Sequence, residues 1–427
     1  MEKILLRFEQ SDDLLTHKTG FIVLNESWKK YKLSERIDLA FGNPGSNRGF
    51  KPSTYVKAIV EVLLDGGEHL EDVKKLESDT GYKKIIGINN YPTADAIGDW
   101  LRRLGSEEGE NKLWSVNRYL TKLDEDHLGI LDIDSSIIES DKGDGEKSYT
   151  GVVGYHPLLG MTVKNGLCVG SKFRYGNEYA GDKLDEFIKE CEKNVKGEIK
   201  IIRSDSAGYQ SKIINYCTES GKYFCITADH DESVKASIKK IEKDQWKWGK
   251  NEDGSRAEWK VAETIHTMNK TKESFRLVVK RQKLHGQLGL FNEDGYGYWI
   301  ISTNLPVEQY DSNAVVLFQQ GRGEMERLIG ELKHHFNMEH MPCGQITANS
   351  LYFTIGVLTY NIIQILKNHV LGEYWKTKTI KTIRYRLFQL PSRIVKSSRY
   401  MIVKIVTAKE YFDNIVFAYN KLKFAPS

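Results

Sequence analysis

Two aspartates stand in the most strand-like segment of the chain, "ILDIDSSIIES", which covers residues 130–140. Asp132 and Asp134 alternate with apolar residues, and this period of two predicts a β-strand with both carboxylates on one face. Aspartate is a poor strand former, and two like charges on one face repel each other. The segment therefore predicts a core strand whose carboxylates need a compensating group, for which a metal ion is one candidate.

The elements after this strand restrict the fold class. Two further period-two segments meet at Asn165-Gly166, a strong signal for a tight hairpin turn. Helical spacing over 182–195 and 211–220 then alternates with strands over 198–210 and 222–229. Three antiparallel strands followed by strand–helix units predict an α/β fold: a ribonuclease H-like mixed sheet with flanking helices, in which the first and fourth strands are neighbours.

Changes in periodicity divide the chain into five predicted regions. Three helical segments precede the first strand, and charged, glycine-rich turns between added strands break the pattern after residue 229. The regions are a helical N-terminal region for DNA binding or dimerisation (1–125), the first part of the core (126–229), a β-rich insertion domain (230–296), the second part of the core (297–372) and a basic C-terminal region (373–427). Residues 313–336 are predicted as one helix, and 351–366 as a buried core helix rather than a membrane span.

The composition indicates a globular protein that is soluble and cytoplasmic. Of its 427 residues, 40% are hydrophobic and 28% charged, no secretory segment opens the chain, and the five cysteines form no C-x-x-C pair. The net charge of +4 is uneven: residues 367–423 hold 13 Lys/Arg against three Asp/Glu, which leaves −6 for the remainder. With its interleaved aromatic residues this basic segment fits a surface along a phosphate backbone, and an ordinary solvated helical face is the alternative.

Three carboxylates fit one metal site. Asp134 lies on the first core strand, Asp205 closes the fourth strand 71 positions later, and Glu326 lies on the helix after the insertion, a further 121 positions on. If the first and fourth strands are neighbours, the two aspartates converge, and a helix packed on the sheet brings Glu326 to them. Carboxylate oxygens are the ligands that Mg²⁺ prefers, and two such ions can promote in-line phosphodiester attack.

Two basic residues flank the glutamate on the predicted helix. Arg322 and Lys333 stand four residues before and seven residues after Glu326. At about 100° per residue all three side chains fall within roughly 40° of one another. Arg322 and Lys333 are therefore expected to bind DNA phosphates on either side of the scissile one. The alternative is a stripe of ion pairs on a solvated helix.

These motifs resemble those of the DDE transposases of bacterial insertion sequences, in the cut-and-paste branch with the signature Tyr-x2-Arg-x3-Glu-x6-Lys, and most closely the group numbered thirteen-eighty. The matching segments are "LDIDSSII", "GYHPLLG", "RSDSAGY" and "RGEMERLIGELK", and the likeness runs from about residue 37 to residue 366. Arg322, Glu326 and Lys333 meet both spacings of the signature. Its tyrosine falls at Gln319, a departure from the pattern.

The resemblance implies a metal-dependent DNA transposase that cleaves transposon ends and transfers the strands. It implies a catalytic triad of Asp134, Asp205 and Glu326 holding two Mg²⁺ ions, with Mn²⁺ as a substitute. The implied partners are terminal inverted repeats and target DNA, and the active complex is a homodimer. A ribonuclease H-fold nuclease that never joins strands would use the same triad, and a non-catalytic DNA-binding protein is a further alternative.

The family pattern also ranks the two aspartates of the first strand. The catalytic aspartate is followed by small hydroxyl residues and then apolar ones, which fits Asp134 and not Asp132. Asp132 lies two residues, roughly 6.6 Å, back along the strand, and it is expected to assist through water at most.

Overall fold

The computed structural model is a mixed α/β structure and describes residues 6–44, 49–124, 128–140, 142–284 and 295–424. Its strands are β1 (Leu15–Thr16), β2 (Ile130–Ser135), β3 (Ile138–Glu139), β4 (Glu146–Lys147), β5 (Val153–Tyr155), β6 (Leu158–Thr162), β7 (Cys168–Lys172), β8 (Ile201–Ser204), β9 (Tyr223–Thr227), β10 (Lys247–Lys250), β11 (Arg256–His266), β12 (Phe275–Lys283), β13 (Tyr296–Thr303), β14 (Ser392–Ser397) and β15 (Tyr400–Ile405). Its helices are α1 (Phe21–Lys30), α2 (Leu33–Phe41), α3 (Pro52–Asp65), α4 (Val73–Ser78), α5 (Thr80–Ile86), α6 (Ala94–Leu104), α7 (Glu107–Thr121), α8 (Leu184–Lys193), α9 (Ser211–Glu219), α10 (Glu232–Lys239), α11 (Ser312–Gln320), α12 (Gly323–Gly330), α13 (Ile346–His369), α14 (Glu373–Lys376), α15 (Ile380–Ile383) and α16 (Lys409–Phe424).

A nine-stranded sheet in the order β10-β11-β12-β13-β9-β8-β2-β6-β7 forms the centre of the molecule. β2, β6 and β7 pair antiparallel, whereas β2 with β8 and β8 with β9 pair parallel. The first and fourth core strands, β2 and β8, are thus neighbours, which confirms the predicted ribonuclease H-like arrangement. Gly166 adopts φ +65° in the predicted hairpin turn between β6 and β7, a conformation that favours glycine.

The strands of the predicted insertion extend this same sheet. β10, β11 and β12 pair in sequence order, β12 pairs with β13, and β13 pairs antiparallel with β9. In the described part of residues 230–296, β10, β11 and β12 continue the core sheet instead of forming a sheet of their own. The boundaries of the five regions stay a prediction.

The two faces of the central sheet bury different residues, because side chains alternate along each strand. Leu131, Ile133 and Ile202 point into the cluster formed with α8 and α9. Ile130 and Ile201 point to the opposite face, where they share a cluster with Val315 and its neighbours on α11. Asp132 alternates with the first set, so the carboxylates of β2 face the side covered by α11.

The two ends of the chain share one hydrophobic core with α13. Residues of α1–α7, of α13 and of the segment after it belong to a single cluster, in which Trp375 and Phe388 are fully buried. β1, β14 and β15 form a small sheet from both ends of the chain. All of the apolar run 351–366 is buried, which confirms the predicted core helix. Within the described ranges, no helix is both long and apolar enough to cross a bilayer.

Candidate active site

Asp134 and Asp205 lie side by side where two parallel strands end. The paired residues of β2 and β8 run in step from Ile130 with Ile201 to Ile133 with Ser204, and the next residue in each strand is an aspartate. Neighbouring strands are about 4.8 Å apart, so the two carboxylates share one edge of the sheet. Burial raises the pKa of Asp134 to about 6, and the negative charge of Asp205 acts in the same direction.

Asp132 is compensated by an arginine. It is 2% exposed, and its two oxygens accept from Arg203 Nε at 2.5 Å and Nη2 at 2.6 Å. Arg203 is the residue paired with Asp132 across the parallel strands, and its Nη1 donates to the carbonyl of Phe318 on α11. This two-pronged ion pair leaves Asp132 no free oxygen edge for a metal ion. It also ties α11 to the sheet.

Glu326 reaches the aspartates on a helix that is not continuous. The prediction of one helix over 313–336 is wrong: α11 ends at Gln320, α12 begins at Gly323, and Glu331–His335 form a π-helical turn. Two glycines, Gly321 and Gly323, surround the break, where helix propensity is lowest. Glu326 is exposed on α12, and its charge helps to raise the pKa of Asp134. The glutamate therefore stands near Asp134.

Arg322 and Lys333 both reach back to the end of β2. Arg322 Nη2 lies 3.1 Å from Asp134 Oδ2 and donates to the carbonyl of Ile133 at 3.3 Å. Its Nε is buried without a hydrogen-bond partner among the described residues. Lys333 lies in the π-helical turn, where its Nζ donates to the carbonyl of Ile137 at 2.7 Å. Arg322 thus contacts a carboxylate directly, whereas Lys333 contacts only the backbone just beyond β2, and a regular α-helix does not connect the two.

Gln319, at the position of the signature tyrosine, faces the protein interior. It is 1% exposed, and its Nε2 donates to the carbonyl of Ser204 at 2.8 Å and to Thr227 Oγ1 at 3.2 Å. Ser204 directly precedes Asp205, so this amide holds the ends of β8 and β9 to α11. Gln319 positions the strand that carries the second aspartate and cannot contact DNA from this place.

Two charged residues of this region were missed in the sequence interpretation. Arg203 lies on a predicted strand and belongs to no motif. It stands 71 positions after Asp132, the same spacing that separates Asp205 from Asp134, and this spacing could have indicated that Arg203 pairs with Asp132. Asp229 follows β9, the parallel neighbour of β8, and the charge of Asp205 adds to the burial that raises its pKa. A polar residue directly after a parallel strand could have indicated it.

The three candidate carboxylates are chemically suited to a divalent cation, but their side chains are not grouped around one point. All three candidate ligands are carboxylates, and only Arg322 among the described residues forms an ion pair with one of them. Across the described part of the chain, no three His, Cys, Asp or Glu side chains are close enough together to hold a metal ion.

Comparison with known proteins gives a family across the whole chain. A family model described as "Transposase DDE domain group 1" matches residues 3–426. No curated protein matches at a significant level. Among solved structures, a piggyBac transposase synaptic complex with hairpin DNA is similar with a TM-score of 0.45 and 12% identity, over 86% of this chain and 77% of that one. On the strength of the family match, this chain belongs to group 1 of the transposase DDE domain family and is a DDE-type DNA transposase.

Proposed function

We propose that this chain cleaves the ends of a mobile DNA element and transfers them to target DNA, with Asp134, Asp205 and Glu326 as the ligands of two Mg²⁺ ions. Mn²⁺, which also takes oxygen ligands, would substitute. The observation that supports the proposal is the placement of the two aspartates at adjacent ends of parallel strands, with Glu326 near enough for its charge to raise the pKa of Asp134.

The residues around the carboxylates support cleavage of a phosphodiester. Bound divalent ions would activate the attacking water or hydroxyl and stabilise the leaving oxygen. Arg322 holds Asp134 in the absence of ions, so ligation of Asp134 frees the guanidinium for a phosphate. Lys333 lies close enough to the end of β2 to bind the phosphate on the other side. Gln319 and Arg203 keep α11 and the sheet in place during the reaction.

The partners follow from this activity. Terminal inverted repeats and target DNA are the proposed substrates, and two chains would pair two ends in a homodimeric complex. The basic segment 367–423 supports DNA binding, since Tyr385 and Tyr400 within it are 76% and 74% exposed among its lysines and arginines.

A strand-joining assay tests the proposed function. Purified protein, Mg²⁺ and labelled pre-cut ends carrying the inverted repeats that flank the reading frame are mixed with supercoiled target DNA. We expect joined products when the ends carry the intact repeats, and none when the ends carry scrambled repeats. Cleavage of uncut ends without any joining of pre-cut ends would instead identify a ribonuclease H-fold nuclease.

A further inference from the structure

The loop between β7 and α8 lies against the loop that follows Asp205. Gln210 Nε2 donates to the carbonyl of Gly181 at 2.9 Å and to that of Ala207 at 2.7 Å. One amide therefore links the two loops, and the first of them borders the site formed by the carboxylates.

Tyr179 is the exposed aromatic residue of this loop. It is 59% exposed, and it lies near enough to Asp205 for that charge to act on its phenol. A Cβ placed on Gly181 would come within 2.6 Å of Tyr179 Cε1 and 2.8 Å of the Ala207 carbonyl oxygen. The glycine thus allows the ring to lie close to the residues after Asp205. The Tyr179 hydroxyl has no hydrogen-bond partner among the described residues.

Buried polar groups hold the backbone of Tyr179 in place. Arg174, which is 7% exposed, donates from Nη1 to the carbonyl of Tyr179 at 3.1 Å and from Nε to that of His156 at 3.0 Å. The buried His156 donates from Nδ1 to the carbonyl of Glu178 at 3.0 Å. A backbone held by a buried arginine and a buried histidine presents the exposed side chain from a fixed position, so less freedom is lost when it contacts a ligand.

The phenol of Tyr179 is a neutral hydrogen-bond donor. A tyrosine hydroxyl is protonated at neutral pH, and here burial raises its pKa, with the carboxylates of Asp229 and Asp205 acting in the same direction. A neutral donor beside carboxylates can approach a phosphate once their charge is compensated, whereas a fourth anion could not.

We propose that Tyr179 contacts the transposon end directly, by donating a hydrogen bond from its hydroxyl to a phosphate next to the scissile one. It would supply the phenol that the family signature places on the catalytic helix, where this chain has the buried Gln319. This inference rests on the proposed function, since it places the scissile phosphate at Asp134 and Asp205.

The test removes only the hydroxyl. Tyr179→Phe should cleave saturating transposon ends about 10- to 100-fold more slowly than wild type, the effect of removing one hydrogen bond to a charged group, while its affinity for the ends changes less than twofold. Tyr223→Phe is the matched control: its ring is 40% exposed at the opposite end of β9, and it should cleave at the wild-type rate. Cleavage by Tyr179→Phe within twofold of wild type would overturn the proposal.

A modified substrate separates a phosphate contact from an indirect effect. Uncharged methylphosphonates are placed one at a time on either side of the scissile phosphate. At the contacted position the substitution and Tyr179→Phe should be non-additive, because each removes the same hydrogen bond. Additive losses at every position would also overturn the proposal. Asp205→Asn is assayed in parallel: its full activity would remove the proposed function itself, whereas an inactive Asp205→Asn beside a normal Tyr179→Phe removes only this inference.

Discussion

At the scale of single residues, the two aspartates of β2 differ in what faces them. Asp132 is enclosed with Arg203 in a buried ion pair, whereas Asp134 stands at the strand end beside Asp205, where it pairs with Arg322 and accepts from the Ser135 backbone N–H at 2.8 Å. The repulsion between the two carboxylates of β2 is thus offset in a different way for each of them. Asp132 has a buried ion-pair partner, whereas Asp134 lies beside further negative charges.

Asp132→Asn should therefore act on stability. It leaves the Arg203 guanidinium buried without a counter-ion, which typically costs about 3–5 kcal/mol of the free energy of unfolding. Asp134→Asn removes a charge that folding disfavours on balance, as its raised pKa shows, and it should not lower that free energy. Urea unfolding in the absence of metal ions compares the two variants. Equal losses for both would contradict the distinction.

Residues of the site could be predicted where their position follows from local sequence patterns. They could not be predicted where it depends on a partner far away in the sequence. The spacing of Asp134, Asp205 and Glu326 pointed to one place because strand order is readable from periodicity. The partner of Asp132 was not readable, since it required the exact register of two strands far apart in sequence. Likewise, nothing local to Gln319 indicated that its side chain turns inward.

At the scale of elements, the break between α11 and α12 sets the direction of the glutamate. Residues 313–336 have helical composition throughout, so periodicity predicted one helix. Local turns made by Gly321 and Arg322, and the π-helical turn at Glu331–His335, depend on contacts with the sheet that composition does not report. The surrounding elements, by contrast, followed their periodicity, and the parallel strands β8 and β9 lie where it predicted.

Two glycines at this break offer a matched pair of substitutions. A Cβ on Gly321 would lie 2.9 Å from Arg203 Nη1 and 3.1 Å from the carbonyl oxygen of Phe318, whereas a Cβ on Gly323 meets nothing within 4 Å. Gly321→Ala should displace the guanidinium that joins α11 to the sheet, at a cost of about 1–3 kcal/mol, and slow DNA cleavage. Gly323→Ala should be neutral or stabilise α12 by up to about 1 kcal/mol.

Thermal unfolding and single-turnover cleavage of both variants check this difference. Slower cleavage by Gly323→Ala than by Gly321→Ala would show that the contact between Arg203 and α11 does not position the catalytic helix.

At the scale of the whole molecule, the basic C-terminal region is not a free tail. Its apolar residues join the core of α1–α7 and α13, while its charged residues remain on the surface of β14 and β15. The charge imbalance was readable from composition. Its attachment to the N-terminal helices was not, because contacts between the two ends of a chain leave no local pattern.

The salt dependence of DNA binding tests this surface. Glutamine at three exposed basic positions should weaken binding and lower the slope of log affinity against log salt by about one unit for each phosphate that is no longer neutralised; the positions are Lys396, Arg399 and Lys404. The control replaces three exposed lysines near the start of β8, at the end of the sheet away from the carboxylates: Lys193, Lys196 and Lys200. An equal fall in slope for both triple variants would mean that charge alone, and not this surface, drives binding.

The central claim is that the carboxylates at the strand ends and on α12 form the metal site for DNA cleavage. Asp205→Asn and Glu326→Gln each remove one negative ligand and keep the side-chain shape. Cleavage of transposon ends in Mg²⁺ or Mn²⁺ is measured for both variants, together with their affinity for the same ends. The account predicts that cleavage is abolished, by at least about 1,000-fold, while binding is retained. Full cleavage by either variant would contradict it.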